Sequence, residues 1–421
     1  MAAIVLQSVG LEPWSAMNHD LPNLMQMRAF VRVADEGSVS RASAILYRAQ
    51  SVVTRAIADL EKRLAVPLFE RHANGMRLTD PGARVLPRAR RVLAELESVP
   101  LLLGRDASQT SEPLYLYQTR RLQLFIKLCE THHMQTVANL SGLSQPAVSA
   151  ALKVLEDGCG RRLFERTPRG LQPTRASLEI LFPVRRALNE LRRIDADLAA
   201  LHGALHGAIH VGALPLGRTR ILPEAIVRLT ASHPGVQVVT NESPFDLLAT
   251  ELRSGDLDFV LGALRPSDYA SDLHGEQLLV EDMVVLARRD HALAAHPLSA
   301  QDLAQARWVL PRASTPARAK LDASFAELGI APPKPVVETG DLALIRGLLL
   351  QSDMLAAVSA HQLEHEIDSG ELQPLPLPLR HTTRPIGLIY RAGGLHSPPA
   401  AALMEQIRQV ILDSQKRQVP T

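Results

Sequence analysis

Leu143-Ser144-Gln145-Pro146-Ala147-Val148-Ser149-Ala150-Ala151-Leu152-Lys153-Val154-Leu155-Glu156 reads as a short amphipathic helix. Val148, Leu152 and Leu155 recur at helical spacing and give it a face to bury. Ser144 suits the N-cap, and Pro146 the first turn, where a missing N–H has no helical partner to lose. The opposite face carries Gln145, Ser149 and Lys153, each four residues from the next. A forked amide, a hydroxyl and a cation in one row fit a DNA major groove: Gln pairs bidentately with adenine, Ser donates or accepts, and Lys reaches guanine or a phosphate. An ordinary solvated surface helix has the same polarity, so this helix alone decides nothing.

The pattern also occurs 95 positions earlier, in Tyr47-Arg48-Ala49-Gln50-Ser51-Val52-Val53-Thr54-Arg55-Ala56-Ile57-Ala58-Asp59-Leu60-Glu61. Gln50 aligns with Gln145, Val53 with Val148, Thr54 with Ser149, and Leu60-Glu61 with Leu155-Glu156. Without a gap, Leu68-Phe69-Glu70-Arg71 aligns with Leu163-Phe164-Glu165-Arg166, Gly75 with Gly170, Thr79 with Thr174, Arg90-Arg91 with Arg185-Arg186, and Phe30 with Phe125. An ungapped internal repeat over about seventy residues is a duplicated domain.

The order of apolar helix, second helix, Ser-Gln-Pro-Ala-Val-Ser, Leu-Glu, Leu-Phe-Glu-Arg and a Thr after a Gly-containing turn resembles the winged helix-turn-helix of LysR-type transcriptional regulators. The second copy, 118–175, fits closely from Gln145 onward. The first, 23–80, fits in its first two helices through Gly37-Ser38-Val39-Ser40-Arg41-Ala42, but has Ala49 and Ser51 where the family favours Ser and Pro. The second copy departs too, with His132-His133-Met134-Gln135 in place of the Gly-Ser opening. The resemblance implies DNA contacts from Arg48, Gln50, Ser51, Thr54 and Arg55 in the first copy. In the second it implies Ser144, Gln145, Pro146, Ser149 and Lys153. Arg169-Gly170, and by register Asn74-Gly75, stand where the wing approaches the neighbouring groove.

A chain of 421 residues is too long for one core. Residues 1–22 read as a disordered tail: Ile4-Val5-Leu6 has no basic segment before it, and no apolar run long enough to span a bilayer occurs, so a cytoplasmic protein is expected. Cys129 and Cys159 form no Cys-x-x-Cys and read as buried thiols of a reducing compartment. Charge divides the chain. Residues 24–201 carry 27 Lys and Arg against 18 Asp and Glu, while residues 202–421 carry 19 against 24. The helical half is therefore the one suited to phosphates.

After each winged motif comes a linker helix, over 81–103 and 176–201. Leu86, Val92, Leu93 and Leu96 mark one apolar stripe and Leu181, Leu188, Leu191 and Leu198 the other. Such stripes want a partner helix, and family members pair their linkers between subunits, which implies a dimer or tetramer. Pro87 and Pro183 are expected to kink or interrupt these helices. Residues 104–117 read as a connecting loop. The register of the repeat also admits pairing of the two linkers within one chain, an internal pseudo-dimer reading two half-sites, or a first copy that serves only as scaffold.

From residue 202 strands and helices alternate: 208–213, 236–240 and 258–262 read as strands, 222–232 and 244–254 as helices. The order predicts a mostly parallel sheet with ligand sites at its carboxyl edge. His233-Pro234-Gly235-Val236 and Gly255-Asp256-Leu257-Asp258 resemble the effector domain of the same family, which has the two-lobed fold of type 2 periplasmic binding proteins. Lobe 1 would span about 207–287 and 385–421, with 400–412 as a closing helix, and lobe 2 about 288–384. The whole is thus expected to be an α+β multidomain protein: two winged helix-turn-helix domains with linker helices, then a two-lobed α/β effector domain.

Ser314, Thr315, Arg312 and Arg318 in Pro311-Arg312-Ala313-Ser314-Thr315-Pro316-Ala317-Arg318 suit a carboxylate held at a helix start; alternatively the hydroxyls simply cap the helix. The resemblance places Pro215, Leu216, Gly217 and Thr219 opposite them, with Thr339 nearby, around a small anionic effector of sugar-acid or aromatic-acid class. His361-Gln362-Leu363-Glu364-His365 has the spacing of inverted zinc peptidases, a weak three-position match. A solute-binding transport protein would need an export signal and no winged helices. The expected protein is therefore a DNA-binding regulator with no cofactor and no enzymatic activity.

Overall fold

The computed structural model describes residues 21–73, 75–105, 112–168, 170–266, 270–295, 297–377 and 379–418. Most of the expected N-terminal tail, and residues 106–111 of the connecting loop, lie outside these residues. The first winged domain runs α1 (Leu24–Glu36), α2 (Val39–Ile45), α3 (Gln50–Leu64), β1 (Phe69–His72) and β2 (Gly75–Leu78), followed by the linker helices α4 (Asp80–Glu97) and α5 (Val99–Leu102). The second runs α6 (Thr119–Thr131), α7 (Met134–Leu140), α8 (Gln145–Cys159), β3 (Phe164–Thr167) and β4 (Gly170–Pro173), followed by α9 (Arg175–Arg192) and α10 (Ile194–Ala200). From α1 to α4, both ends of each element stand 95 positions before those of its counterpart, as in Leu24 and Thr119 or Glu97 and Arg192.

The two copies are built by the same local bonds. Gly37 and His132 both end their first helix at positive φ, 59° and 60°, and their carbonyls accept from Met76 N (2.9 Å) and Leu171 N (2.8 Å), pinning the wing to the helix end. The Glu61 carboxylate accepts from Leu68 N and Phe69 N at 2.7 and 3.2 Å; Glu156 does the same for Leu163 and Phe164 at 2.8 and 3.3 Å. Phe30 packs on Phe69 and Phe125 on Phe164, at centroid separations of 5.4 and 6.0 Å. Thr79 and Thr174 cap the linker helices, accepting from Gly82 N and Ser177 N. Cys129 and Cys159 are buried free thiols, and burial pushes Cys159 up to about 11.

All eight leucine and valine positions of the two stripes are buried, because α4 and α9 pack on each other within one chain. The expected interruption at the prolines is absent: α4 runs through Pro87 and α9 through Pro183. A proline removes one intrahelical hydrogen bond, and flanking residues buried on both sides hold these helices together across that gap. The breaks come later, at Ser98 and Arg193.

Arg88, 2% exposed, joins the linkers to the rest. Its guanidinium donates to both Asp197 carboxylate oxygens and to Glu190 (2.5 Å), and to the carbonyls of Leu395 (3.5 Å) and His396 (3.1 Å) in the effector domain. Burial alone would lower its pKa, but the hydrogen bonds and charges of Asp197 and Glu190 outweigh it and hold the pKa above the ordinary arginine value.

The effector domain has two five-stranded sheets. Its elements are β5 (Gly207–Ala213), α11 (Pro215–Arg218), α12 (Ile221–Ser232), β6 (Val236–Asn241), α13 (Phe245–Ser254), β7 (Phe259–Ala263), β8 (Leu273–Glu281), β9 (Met283–Arg288), α14 (Ala300–Gln305), β10 (Arg307–Leu310), α15 (Pro316–Glu327), β11 (Val337–Glu338), α16 (Leu342–Gln351), β12 (Met354–Ser359), α17 (Glu364–Asp368), β13 (Leu372–Pro374), β14 (Arg384–Arg391) and α18 (Pro398–Gln418). Lobe 1 holds β6-β5-β7-β14-β8 and lobe 2 β11-β10-β12-β9-β13. In each sheet three neighbouring strands pair in parallel, as the βαβαβ order predicts, and one strand, β14 in lobe 1 and β9 in lobe 2, runs against the other four. The two reversed strands are the two crossings: β8 ends at Glu281 and β9 starts at Met283, so an extended chain passes straight from lobe 1 into lobe 2, and β14 is the strand that returns to lobe 1. The lobe boundary therefore falls at Asp282, earlier than the 287 expected from the sequence.

Arg88→Ala leaves Asp197 buried without its counter-ion and Glu190 with only Arg91 and Arg391, each 3.6 Å away, which costs about 3–5 kcal/mol. Urea unfolding should show that loss as a lowered midpoint; an unchanged midpoint means the cluster contributes nothing to the fold.

Candidate nucleic-acid interface and inter-lobe crevice

The recognition helices α3 and α8 each bury one face and present the other. Val53, Ile57, Leu60 and Leu64 anchor α3; Val148, Leu152, Leu155 and Cys159 anchor α8. Arg48, Gln50, Ser51, Thr54 and Arg55 are exposed in the first copy, as are Ser144, Gln145, Pro146 and Lys153 in the second, while Ser149 is half-buried. The two helix starts differ. Ser144 caps α8, its hydroxyl accepting from Ala147 N at 3.4 Å, whereas Ala49 gives α3 no side-chain cap. The Thr54 hydroxyl donates to the Gln50 carbonyl at 2.9 Å. Arg169 and Asn74 lie outside the described residues. At the wing roots, a Cβ on Gly75 (φ +126°) would stand 2.3 Å from the Gly37 carbonyl oxygen, so close approach of wing to helix end requires glycine there. Tyr47, 94% exposed at φ 50° in the turn before α3, is an addition to the sequence-derived set. An aromatic beside a recognition helix was visible in the sequence, but its exposure was not.

The predicted effector residues separate. Leu216 and Thr219 line a crevice of about 100 Å³ where the lobes meet, together with Arg220, Glu281, His361 and, from α18, Ile411. Pro215 opens α11, and Gly217 packs on Leu261, where a Cβ would meet the side chain at 2.7 Å. Arg312, Ser314, Thr315, Arg318 and Thr339 are not among the residues that line it. Thr315 caps α15, accepting from Arg318 N at 3.3 Å; Arg318 is buried and pairs with Asp322 (2.8 Å) and Glu338 (3.4 Å). Thr339 is buried and accepts from Asp341 N, and Arg312 and Ser314 are exposed. In that segment the Thr315 hydroxyl and the Arg318 guanidinium are engaged in local structure, while those of Ser314 and Arg312 are not.

Two ties cross the crevice. Arg220 of lobe 1 donates to Glu364 of lobe 2 at 2.6 Å. Buried Glu281 accepts from the Ser359 hydroxyl and lies 3.4 Å from His361 Nδ1. The zinc pattern does not assemble: a 3-10 turn over Ala360–Leu363 gives way to α17 at Glu364, the Glu364 carboxylate is held by Arg220, and His365 is exposed. Among the described residues, no three His, Cys, Asp or Glu are placed to hold a metal ion.

Lobe 1 also grips the linkers. Arg185 bridges Glu130 of α6 (2.5 Å) and Asp256 (2.6 Å) in the turn before β7; Asn189 adds a bond to Asp256 (2.9 Å), and Arg193 reaches Asp258 (2.8 Å). Burial alone would raise Asp256, but Arg185 and hydrogen bonds from Ser254 and Asn189 hold it below the usual carboxylate value. Beneath this turn, burial pushes Glu251 up to about 7 although Asn241 donates to it.

The chain matches two family models: the bacterial regulatory helix-turn-helix protein, lysR family, twice, at residues 24–83 and 119–177, and the LysR substrate binding domain at 202–411. It is 70% identical over 394 residues, 94% of this chain and 98% of the relative, to the HTH-type transcriptional regulator GalR of Pseudomonas putida; that alignment leaves too few residues outside it to omit either winged domain. It is 30% identical over 293 residues to the regulator PcaQ of Agrobacterium fabrum, covering 69% of this chain and 94% of that one. Among solved structures, full-length CbnR in complex with its target DNA aligns at TM-score 0.51 and 23% identity, covering 70% of this chain and 99% of that chain. A full-length OxyR variant from Pseudomonas aeruginosa aligns at 0.52 and 22%, covering 70% and 94%. These two similarities concern the fold.

Two outcomes are expected from this geometry. Ala49→Ser supplies the missing cap and should stabilise α3 by about 1 kcal/mol, with Ser144→Ala costing α8 a similar amount; amide exchange protection of each helix reads both, and equal protection in all variants discounts the caps. For Glu251 the folded pKa lies above the unfolded one, so the folded state holds the extra proton and stability falls as pH rises from about 4.5 to about 7. Glu251→Gln removes that slope: it should gain on the order of 1–3 kcal/mol over wild type at pH 8 and nothing at pH 4, as measured by urea unfolding at both values.

Proposed function

This chain belongs to the LysR family of bacterial transcriptional regulators, and from that premise we propose that it reads operator DNA with both recognition helices and takes a small anionic metabolite, of sugar-acid or aromatic-acid class, between its effector lobes. It is a DNA-binding regulator and not an enzyme. Among the described residues no helix is long and apolar enough to cross a membrane.

For DNA, support comes from the exposed rows on α3 and α8 and from the basic excess of residues 24–201. Base edges are read by Gln50 and Thr54 in one copy and by Gln145, Ser149 and Lys153 in the other, with Arg48 and Arg55 on phosphates. For the effector, one observation carries the reading: Arg220 lines the crevice beside Thr219 and His361, and its ion-pair partner is a carboxylate of the opposite lobe. A ligand carboxylate there competes with Glu364 for the same guanidinium. Binding then removes one tie between the lobes and shifts their relative populations, the differential interaction that any ligand-driven change requires. The crevice at about 100 Å³ is smaller than a metabolite pocket of ~300 Å³, so occupancy goes with lobe opening. Subunits associate through effector domains, since α4 and α9 already cover each other.

A thermal-shift panel of small hydroxy-acid and benzoate-type carboxylates against their neutral amides tests the effector reading. A true ligand at ~100 times its Kd stabilises by about 2.7 kcal/mol. Arg220→Ala should abolish that response and leave DNA binding intact; an amide that binds as well as its acid, or a response surviving in Arg220→Ala, removes the anion reading.

A further inference from the structure

Given the operator-binding reading above, on which this inference rests, we propose that one chain is a complete operator reader: its two winged domains are the halves of an internal pseudo-two-fold pair, and its partner is a duplex carrying an inverted repeat of two unequal half-sites.

The symmetry is written in reciprocal ion pairs. Arg91 and Arg186 are equivalent by the 95-residue register, and so are Glu95 and Glu190. Arg91 of α4 faces Glu190 of α9 at 3.6 Å, and Arg186 of α9 faces Glu95 of α4 at 2.7 Å. Contact of i with j′ and of i′ with j is the mark of an isologous, two-fold interface, as opposed to a translational stacking of repeats. Both pairs centre on the register of Leu93 and Leu188, so the linkers cross antiparallel there, and both leucines are buried. Arg391 of the effector domain stands between the two glutamates, 3.5 Å from Glu95 and 3.6 Å from Glu190, a single side chain shared by the two halves.

The pair is also closed. Its apolar stripes are used up within the chain, so neither α4 nor α9 keeps an apolar face of the kind that would recruit the same helix of another subunit. Each half keeps its winged domain on its own linker by an equivalent bond, Arg90 to Asp35 at 2.6 Å and Arg185 to Glu130 at 2.5 Å. A two-fold protein reads an inverted repeat. Here the two reading surfaces differ: Ser51, Thr54, Arg55 and Ala58 on α3 stand where α8 has Pro146, Ser149, Ala150 and Lys153. Unequal readers on one axis call for unequal half-sites.

The experiment starts from selection of bound duplexes out of a random-sequence pool by the full-length chain. The expected product is an inverted repeat with two different halves. Gln50→Ala and Gln145→Ala, both at exposed positions, should each lose binding roughly tenfold, one relaxing selection in one half only and the other in the opposite half. Sedimentation with the selected duplex in excess should give one duplex per chain. Relaxation of both halves by one substitution, no effect from one of the two, or one duplex per two chains overturns the proposal while leaving a DNA-binding regulator. Recovery of no enriched sequence overturns the operator reading itself.

Discussion

Arg88 is buried between two carboxylates of the second linker and two backbone carbonyls of the effector domain, and the arrangement of domains depends on the geometry it accepts. A guanidinium offers its donors in a fixed planar fork, so Asp197, Glu190 and the Leu395–His396 carbonyls can satisfy it in one relative placement of α4, α10 and lobe 1. An apolar junction of the same size would hold the parts together as well or better, because taking these charges out of water is costly. It would also tolerate slippage and rotation. The ion cluster thus contributes register more than adhesion. That matters for the proposed reading of one duplex by both recognition helices.

The repeat made the helical half legible in detail. An ungapped offset transfers each structural inference from one copy to the other, and the bonds that shape both, Glu61 with Glu156 and Thr79 with Thr174, fall on positions the alignment had already paired. The prolines misled because the helix-breaking rule is local, while α4 and α9 are held by burial along their length. The effector crevice was the least legible part. A Ser-Thr-Pro turn at a helix start has the same residues whether it binds an anion or caps the helix, and the pairing of Arg318 with Asp322 and Glu338 is made by residues too far along the chain for the turn itself to reveal. Arg220 escaped notice because its partner, Glu364, lies far off in sequence on the other lobe.

The described contacts between effector domain and linkers come from lobe 1: the α13–β7 turn, the end of β14, and the Gly393–His396 segment. Lobe 2 meets the rest through lobe 1, across Arg220–Glu364 and the Glu281 cluster. A rearrangement that moves only lobe 2 therefore leaves the linker pair in place. To reach DNA, a signal from the crevice has two physical routes. One is strain passed through β8 and β14, which run from the crossover toward the Arg391 end of the sheet. The other is a change in how lobes of separate chains associate, with each linker pair carried as a rigid body.

Joining two readers in one chain changes what variation can reach. In a dimer of identical subunits every substitution on a recognition helix alters both half-sites together. In a tandem chain each helix varies alone, and the pair needs no association step, since the tether fixes the effective concentration of one half near the other. The internal differences fit that logic. Several positions that build the scaffold agree between copies, Glu61 with Glu156, Glu95 with Glu190 and Arg91 with Arg186, although Arg88 stands opposite Pro183. On the exposed faces of α3 and α8 the copies differ, Arg55 opposing Ala150 and Ala58 opposing Lys153, yet Gln50 and Gln145 both stay at the helix start. A copy kept only as scaffold would have no reason to hold an exposed forked amide at the start of this helix. Two readers of related but different half-sites would keep the amide and vary the residues one and two turns further along the helix.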